Sequence, residues 1–148
     1  MPLNGQEKKS IKVVLDTNVL ISVLVFGGQL RPIFDLIKTQ KMTPCFTKIT
    51  FLEFQTVLQY PKFKPKFAKL NLSGEEITQA IAEKSIIAPD SPTYLNIISY
   101  LPDNYLLSCS IATNASFIVS GDKHLLKLKT FQQIPILSPN QFLQLIRK

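Results

Sequence analysis

Ten of the 148 residues are acidic, and four of them stand where strands end or helices begin: Asp16, Glu53, Asp103 and Asp122. The remaining six have simple settings. Glu7 lies in a polar N-terminal stretch, and Asp35, Glu75, Glu76, Glu83 and Asp90 fall on helix faces or in a proline-rich loop. Carboxylates gathered at one point repel one another and raise each other's pKa unless a cation sits among them. A set built from carboxylate oxygens, without cysteine or histidine, favours Mg²⁺ or Mn²⁺. Such ions activate water and stabilise the charge that develops in an in-line displacement at phosphorus. Taken singly, Asp16, Asp103 and Asp122 read equally well as helix N-caps, and Glu53 as an exposed helix residue. Their joint placement is what points to chemistry.

Other reaction types find little support. The single histidine, His124, excludes acid–base catalysis by a histidine pair. There is no Gly-x-x-x-x-Gly-Lys loop, no Gly-x-Ser-x-Gly elbow and no His-Glu-x-x-His. Cys109 lies among Leu106, Leu107 and Ile111 and reads as a packed thiol. His124 reads as a helix-surface residue, with contact to substrate or metal as the alternative.

The elements that would position the four acids follow from the hydrophobic pattern. Ile11–Leu15 is apolar and β-branched, as a strand buried on both faces requires. Asp16-Thr17-Asn18 ends it and caps a helix to Val25. Gly27-Gly28 breaks that helix, and Leu30–Lys41 is expected as the next, with Pro32 in its first turn. Its apolar face, Leu30–Ile37, suits either the core or a dimer interface. A short strand around Pro44–Phe46 leads to a helix over Lys48–Tyr60. This places Glu53 about 7–8 Å below the helix start, within reach of its rim. It also puts Glu53 between Leu52 and Phe54, a costly neighbourhood for a carboxylate without a partner.

Beyond Tyr60 the two prolines of Tyr60–Leu70 predict short helical turns. Phe63 and Phe67 are expected to face the core, while their lysine neighbours point outward. Ser73-x-x-Glu76 is a capping box opening a helix to about Lys84. Ile86–Ala88 is a candidate strand, and Tyr94–Tyr100 fits no single element. Asp103–Asn114 reads as a helix, Phe117–Val119 as a second buried strand, and a short helix follows Asp122. Ile134–Leu137 is the last strand, and Ser138-Pro139 opens the final helix. Strands alternating with helices predict an α/β/α domain with a central, mostly parallel sheet. In such sheets the functional rim is at the carboxyl ends of the strands. Asp16 and Asp122 both emerge there.

Residues 1–10 are expected as a polar tail and 11–148 as a single domain. The longest apolar stretch, Val19–Phe26, is interrupted by Ser22 and far short of the roughly twenty residues of a membrane span. Cys45 and Cys109 are distant in sequence and read as reduced thiols in a cytoplasmic setting. A formal net charge of +7 points to an acidic partner, nucleic acid foremost. Lys62, Lys64, Lys66 and Lys123 are candidate phosphate contacts.

At these residues the chain resembles the PIN-domain family, in particular the VapC-like toxin components of toxin–antitoxin pairs. Val13-Val14-Leu15-Asp16-Thr17-Asn18-Val19-Leu20-Ile21-Ser22 is similar to the family's first acidic motif. Thr47–Leu58, followed by Tyr60-Pro61-Lys62-Phe63, resembles the helix whose acidic residue falls on Glu53. Asp103-Asn104 resembles the third motif, and Ile118-Val119-Ser120-Gly121-Asp122-Lys123-His124-Leu125-Leu126 the fourth. The likeness spans about residues 11 to 140.

It implies a PIN fold and an endoribonuclease that uses one or two Mg²⁺ or Mn²⁺ ions. It also implies a homodimer and a cognate antitoxin. Asp16, Glu53, Asp103 and Asp122 would be the catalytic metal-binding acids, with Asn18 and Ser120 as accessory polar residues. The chain departs from the pattern at Leu101 and Asn104, and at His124, where the family often carries further acids. Those positions bear on a second metal. Three rival functions remain: an RNA-processing nuclease without an antitoxin, an RNA-binding module that has lost catalysis, and a phosphohydrolase of the haloacid dehalogenase type. The last needs a second Asp at position 18, where this chain has Asn18.

Overall fold

The structure, a computed structural model, describes residues 10–90 and 101–147. Tyr94–Tyr100, which fits no single element in sequence, lies outside the described residues, as does most of the N-terminal tail. Six strands form one sheet: β1 (Ile11–Leu15), β2 (Met42–Thr47), β3 (Ile86–Ala88), β4 (Phe117–Val119), β5 (Thr130–Phe131) and β6 (Ile134–Leu137). Their order is β3-β2-β1-β4-β6-β5. All pairings are parallel except β5 with β6, which is antiparallel at the edge. The fold is the expected three-layer α/β/α arrangement.

Side-chain alternation along the central strands sets the layers. Val13 and Leu15 of β1 and Val119 of β4 face one core; Val14 and Ile118 face the other. The first core is covered by α1 (Thr17–Val25), α2 (Arg31–Lys38), α3 (Lys48–Leu58), α4 (Lys64–Lys69), α5 (Gly74–Glu83) and α8 (Pro139–Ile146). The second is covered by α6 (Leu101–Ala112) and α7 (Lys123–Leu126). Most of the apolar face of α2 belongs to the core, because Ile33 and Ile37 are buried. Phe63 and Phe67 are buried as well, on the 3₁₀ turn Pro61–Phe63 and on α4. Cys45 and Cys109 are buried free thiols, and burial pushes the Cys109 thiol up to about 12. Among the described residues no single helix is long and apolar enough to cross a membrane.

Several boundaries differ from expectation: α3 ends at Leu58 rather than Tyr60, and α6 runs from Leu101 to Ala112 rather than from Asp103 to Asn114. The helix beginning near Leu30 ends at Lys38, because Gln40 takes a left-handed conformation (φ 61°) and Lys41 N–H turns back to the Leu36 carbonyl. The chain is thereby released early enough for β2 to begin at Met42 instead of Pro44. Strand β5 was not expected, and it enters the sheet through a tight hairpin with β6.

The strand order reverses around β1. Its C-terminal neighbour in sequence, β2, lies on one side and β4 on the other. The crevice at this switch point opens beyond the carboxyl ends of β1 and β4, where parallel sheets bind ligands. The Asp16 N–H donates to the Val119 carbonyl at 2.9 Å and ties the two strand ends together.

Candidate functional site

Asp16 leaves β1 as the N-cap of α1. Its Oδ1 accepts the Asn18 N–H at 3.3 Å, so one carboxylate oxygen does serve as a cap. Its other oxygen, Oδ2, accepts a 2.7 Å hydrogen bond from Ser120 Oγ. Ser120, fully buried just past β4, in turn accepts the Asp122 N–H at 3.0 Å. One hydroxyl therefore fixes both the Asp16 carboxylate and the backbone that carries Asp122. Asp122 caps α7 in the same way as Asp16 caps α1, with Oδ1 accepting the His124 N–H at 2.7 Å. Asn18 is exposed and contributes its backbone N–H to the cap.

Asp103 is in a different situation. It is the third residue of α6 and not a cap, and it is only 3 % exposed. Its Oδ2 is buried and has no hydrogen-bond partner among the described residues. Burial, then the neighbouring charges of Asp122 and Asp16, push its carboxyl up to about 7. As carboxylates, Asp103 and Asp122 face each other as acceptors, and only a proton on Asp103 gives either one a bond to share. Asp122 moves the other way. Burial raises it, but the His124 N–H, the shared proton of Asp103 and the His124 ring together bring it below the usual carboxylate range.

Glu53 reaches the same cleft from α3, where its Oε1 accepts a 2.9 Å hydrogen bond from the buried Thr17 hydroxyl. The costly apolar neighbourhood expected for it is absent. Leu52 is exposed, and of the two neighbours of Glu53 only Phe54 is buried. Glu53 is exposed and held by Thr17.

All four acids line one cleft of about 260 Å³, together with Thr17, Asn18, Tyr60 and Lys62. An adjoining depression of about 380 Å³ shares Asp16, Asn18 and Asp122 and extends toward Ser22 and Pro139. Among the described residues, no lysine or arginine forms an ion pair with any of the four. A divalent cation fits this donor set: carboxylate oxygens converge, like charges are uncompensated, and one buried oxygen has no donor. Such a residue set can bind an ion and present it to an anionic substrate at the open side of the cleft.

Of the candidate phosphate contacts, Lys62 is at the cleft. Lys123 is exposed beside Asp122, and Lys64 is exposed at the start of α4. Lys66 lies elsewhere, with Nζ 4.0 Å above the Phe26 ring. Thr17 was not singled out in sequence, where it was signalled only by its place directly after Asp16. His124, expected on a helix surface with contact to substrate or metal as the alternative, is exposed there, and its ring nitrogen Nδ1 is 3.2 Å from Asp122 Oδ1.

Residues 12–124 match the family model described as PIN domain. An archaeal relative, "Uncharacterized protein MJ1680" from Methanocaldococcus jannaschii, is 30 % identical over 128 residues, covering 86 % of this chain and 81 % of the relative. In three dimensions the chain is similar to a chain in the crystal structure of VapBC2 from Rickettsia felis bound to a DNA fragment from their promoter. That likeness has a TM-score of 0.55 and 17 % identity, covering 86 % of this chain and 98 % of the other.

Proposed function

The chain belongs to the PIN domain family, and on that premise we propose that it is a Mg²⁺- or Mn²⁺-dependent endoribonuclease whose site is Asp16, Glu53, Asp103 and Asp122. The observation that carries this reading is the buried Asp103 Oδ2, without a donor among the described residues, in one cleft with three further carboxylates. A protein seldom leaves such an atom orphaned unless a ligand completes it.

When bound, one or two ions would supply Lewis-acid charge at the scissile phosphodiester and a water activated for in-line attack. The chain's own residues do the rest. Asp16, Asp103 and Asp122 hold the charge, and Ser120 keeps the Asp16 carboxylate from rotating. Thr17 orients Glu53 toward the cleft, where it can accept a proton or a ligand bond. Lys62 at the cleft wall offers a counter-charge to a substrate phosphate, with the exposed Lys64 and Lys123 as more distant contacts. Asn18 supplies a polar amide at the junction of the two depressions.

The reading extends to a toxin with a cognate antitoxin, a homodimeric state and a cytoplasmic location, which rest on the likeness of the acidic motifs to VapC-like toxins. An apolar groove of about 440 Å³ between the end of α1, α2 and α5 is compatible with a protein partner. Arg31, Lys38 and Lys84 rim it. An RNA-processing role without an antitoxin uses the same chemistry. The chain retains the four acids that a non-catalytic binding module would not need.

The test is cleavage of an end-labelled structured RNA, with a DNA of the same sequence as control. In Mn²⁺ the wild type should cut the RNA, and EDTA should stop it. Asp16→Asn should lower the rate by about 10²-fold or more, the scale of a lost charge-stabilising group. Undiminished cleavage by a folded Asp16→Asn would remove the site assignment.

A further inference from the structure

The ring of His124 stands against the carboxylate of Asp122, one of the four acids of the cleft. One ligand atom each from Asp103, Asp122 and His124 fall within 4.8 Å of one another. Nδ1 of His124 is 3.2 Å from Oδ1 of Asp122. Neighbouring ligands on an octahedral ion with bonds of about 2.1 Å stand about 3 Å apart. The His124–Asp122 spacing is therefore that of two atoms sharing an ion, as well as that of a hydrogen bond. A second feature points to a ligand at the same place: Asp103, a member of this trio, carries a buried oxygen, Oδ2, that has no hydrogen-bond partner among the described residues.

We propose that His124 is a metal ligand, which with Asp103 and Asp122 gives the site a mixed nitrogen–oxygen donor set that prefers Mn²⁺ to Mg²⁺. The proposal rests on the reading of the cleft as a divalent-cation site and specifies its ion.

The local structure supports it. The backbone N–H of His124 is bound to Asp122 Oδ1 at 2.7 Å, which fixes the first turn of α7 and keeps the ring next to that carboxylate. The side chain is 71 % exposed, so the ring can turn to offer either nitrogen without repacking the core. The competing explanation, an exposed Asp–His ion pair, is worth little in stability and leaves Asp103 Oδ2 unexplained. Imidazole nitrogen is a poor donor to Mg²⁺, which takes oxygen and holds its water tightly. It is a good donor to later divalent ions of the first transition row. An acid at position 124 would give an all-oxygen site; the histidine biases the choice of ion.

The test uses the full chain with metal alone. Mn²⁺ bound to the wild type is examined by pulsed electron paramagnetic resonance for nitrogen coupling, and Mg²⁺ is titrated against it. The proposal expects imidazole nitrogen coupling in the wild type and none in His124→Ala. In His124→Asp it expects Mn²⁺ binding to persist while the Mn²⁺-over-Mg²⁺ preference falls by about tenfold. Position 124 is exposed, so both variants should fold, and circular dichroism checks that. Equal Mn²⁺ binding by wild type and His124→Ala, without nitrogen coupling, would overturn the ligand assignment and leave the cleft as a metal site. Failure of the wild type to bind either ion would overturn the metal reading itself, and this proposal with it.

Discussion

Asp103 is the residue on which pH should act first. Its folded carboxyl is raised to about 7 by burial and by Asp122 and Asp16, against 3.8 for the free group. Between those values the folded protein binds a proton that the unfolded chain has released, so without metal its stability falls as pH rises. Asp122 has the opposite sign. Its lowered carboxyl contributes stability above the ordinary carboxylate range, and that is lost only in stronger acid. Calorimetry in EDTA should show the melting temperature of the wild type declining from about pH 4 to about pH 7 relative to Asp103→Asn. Parallel curves for the two proteins would mean that Asp103 is not the strained group. At this residue scale, the sequence disclosed which acids come together in one cleft but not what surrounds them. Asp16 and Asp122 were legible because each follows a β-branched run. The burial of Asp103, the Thr17–Glu53 bond and the approach of His124 depend on pairs far apart in sequence or on a local turn, and periodicity registers neither.

The elements that bring these residues together are held mainly by apolar contacts. Helix α3 carries Glu53 on its exposed side and Phe54 on its buried side, where the Phe54 ring is 5.7 Å from that of Phe46 and 5.9 Å from that of Phe51. Phe54→Ala should cost about 3–5 kcal/mol by removing a fully buried ring. Urea unfolding followed by circular dichroism would measure it. A loss under about 1 kcal/mol would mean that α3 is not seated on the sheet as described. Most elements were legible, since the strands are β-branched runs and Ser73, Ser138 and Asp16 mark helix starts. The missed hairpin and the early end of α2 share one cause. Gln132 and Gln133 form the two-residue β5–β6 turn with φ of 50° and 69°, and Gln40 ends α2 with φ of 61°. These are positions where glycine or asparagine is the usual signal. Glutamine gives none, so the hairpin and the early helix end were invisible in sequence.

At the scale of the molecule, the four acids come from four separate stretches of chain, after β1, within α3, within α6 and after β4. In a chain of net charge +7, the folded state concentrates negative charge in one cleft and leaves the exterior basic. That distribution suits an anionic polymer drawn toward a metal site. It also means that an ion in the cleft would cross-link the ends of β1 and β4 to helices from both layers. Binding to the native state alone must then stabilise the whole domain, by an amount that grows with the logarithm of free metal. The measurement that tests this most directly is the melting temperature of wild type and Asp103→Asn across a Mn²⁺ titration at about pH 8, above the Asp103 value. The account predicts that Mn²⁺ raises the melting temperature of the wild type progressively, and that the variant starts higher without metal and gains little. A wild type indifferent to millimolar Mn²⁺, or a variant that responds equally, would contradict the claim that these carboxylates form a metal site.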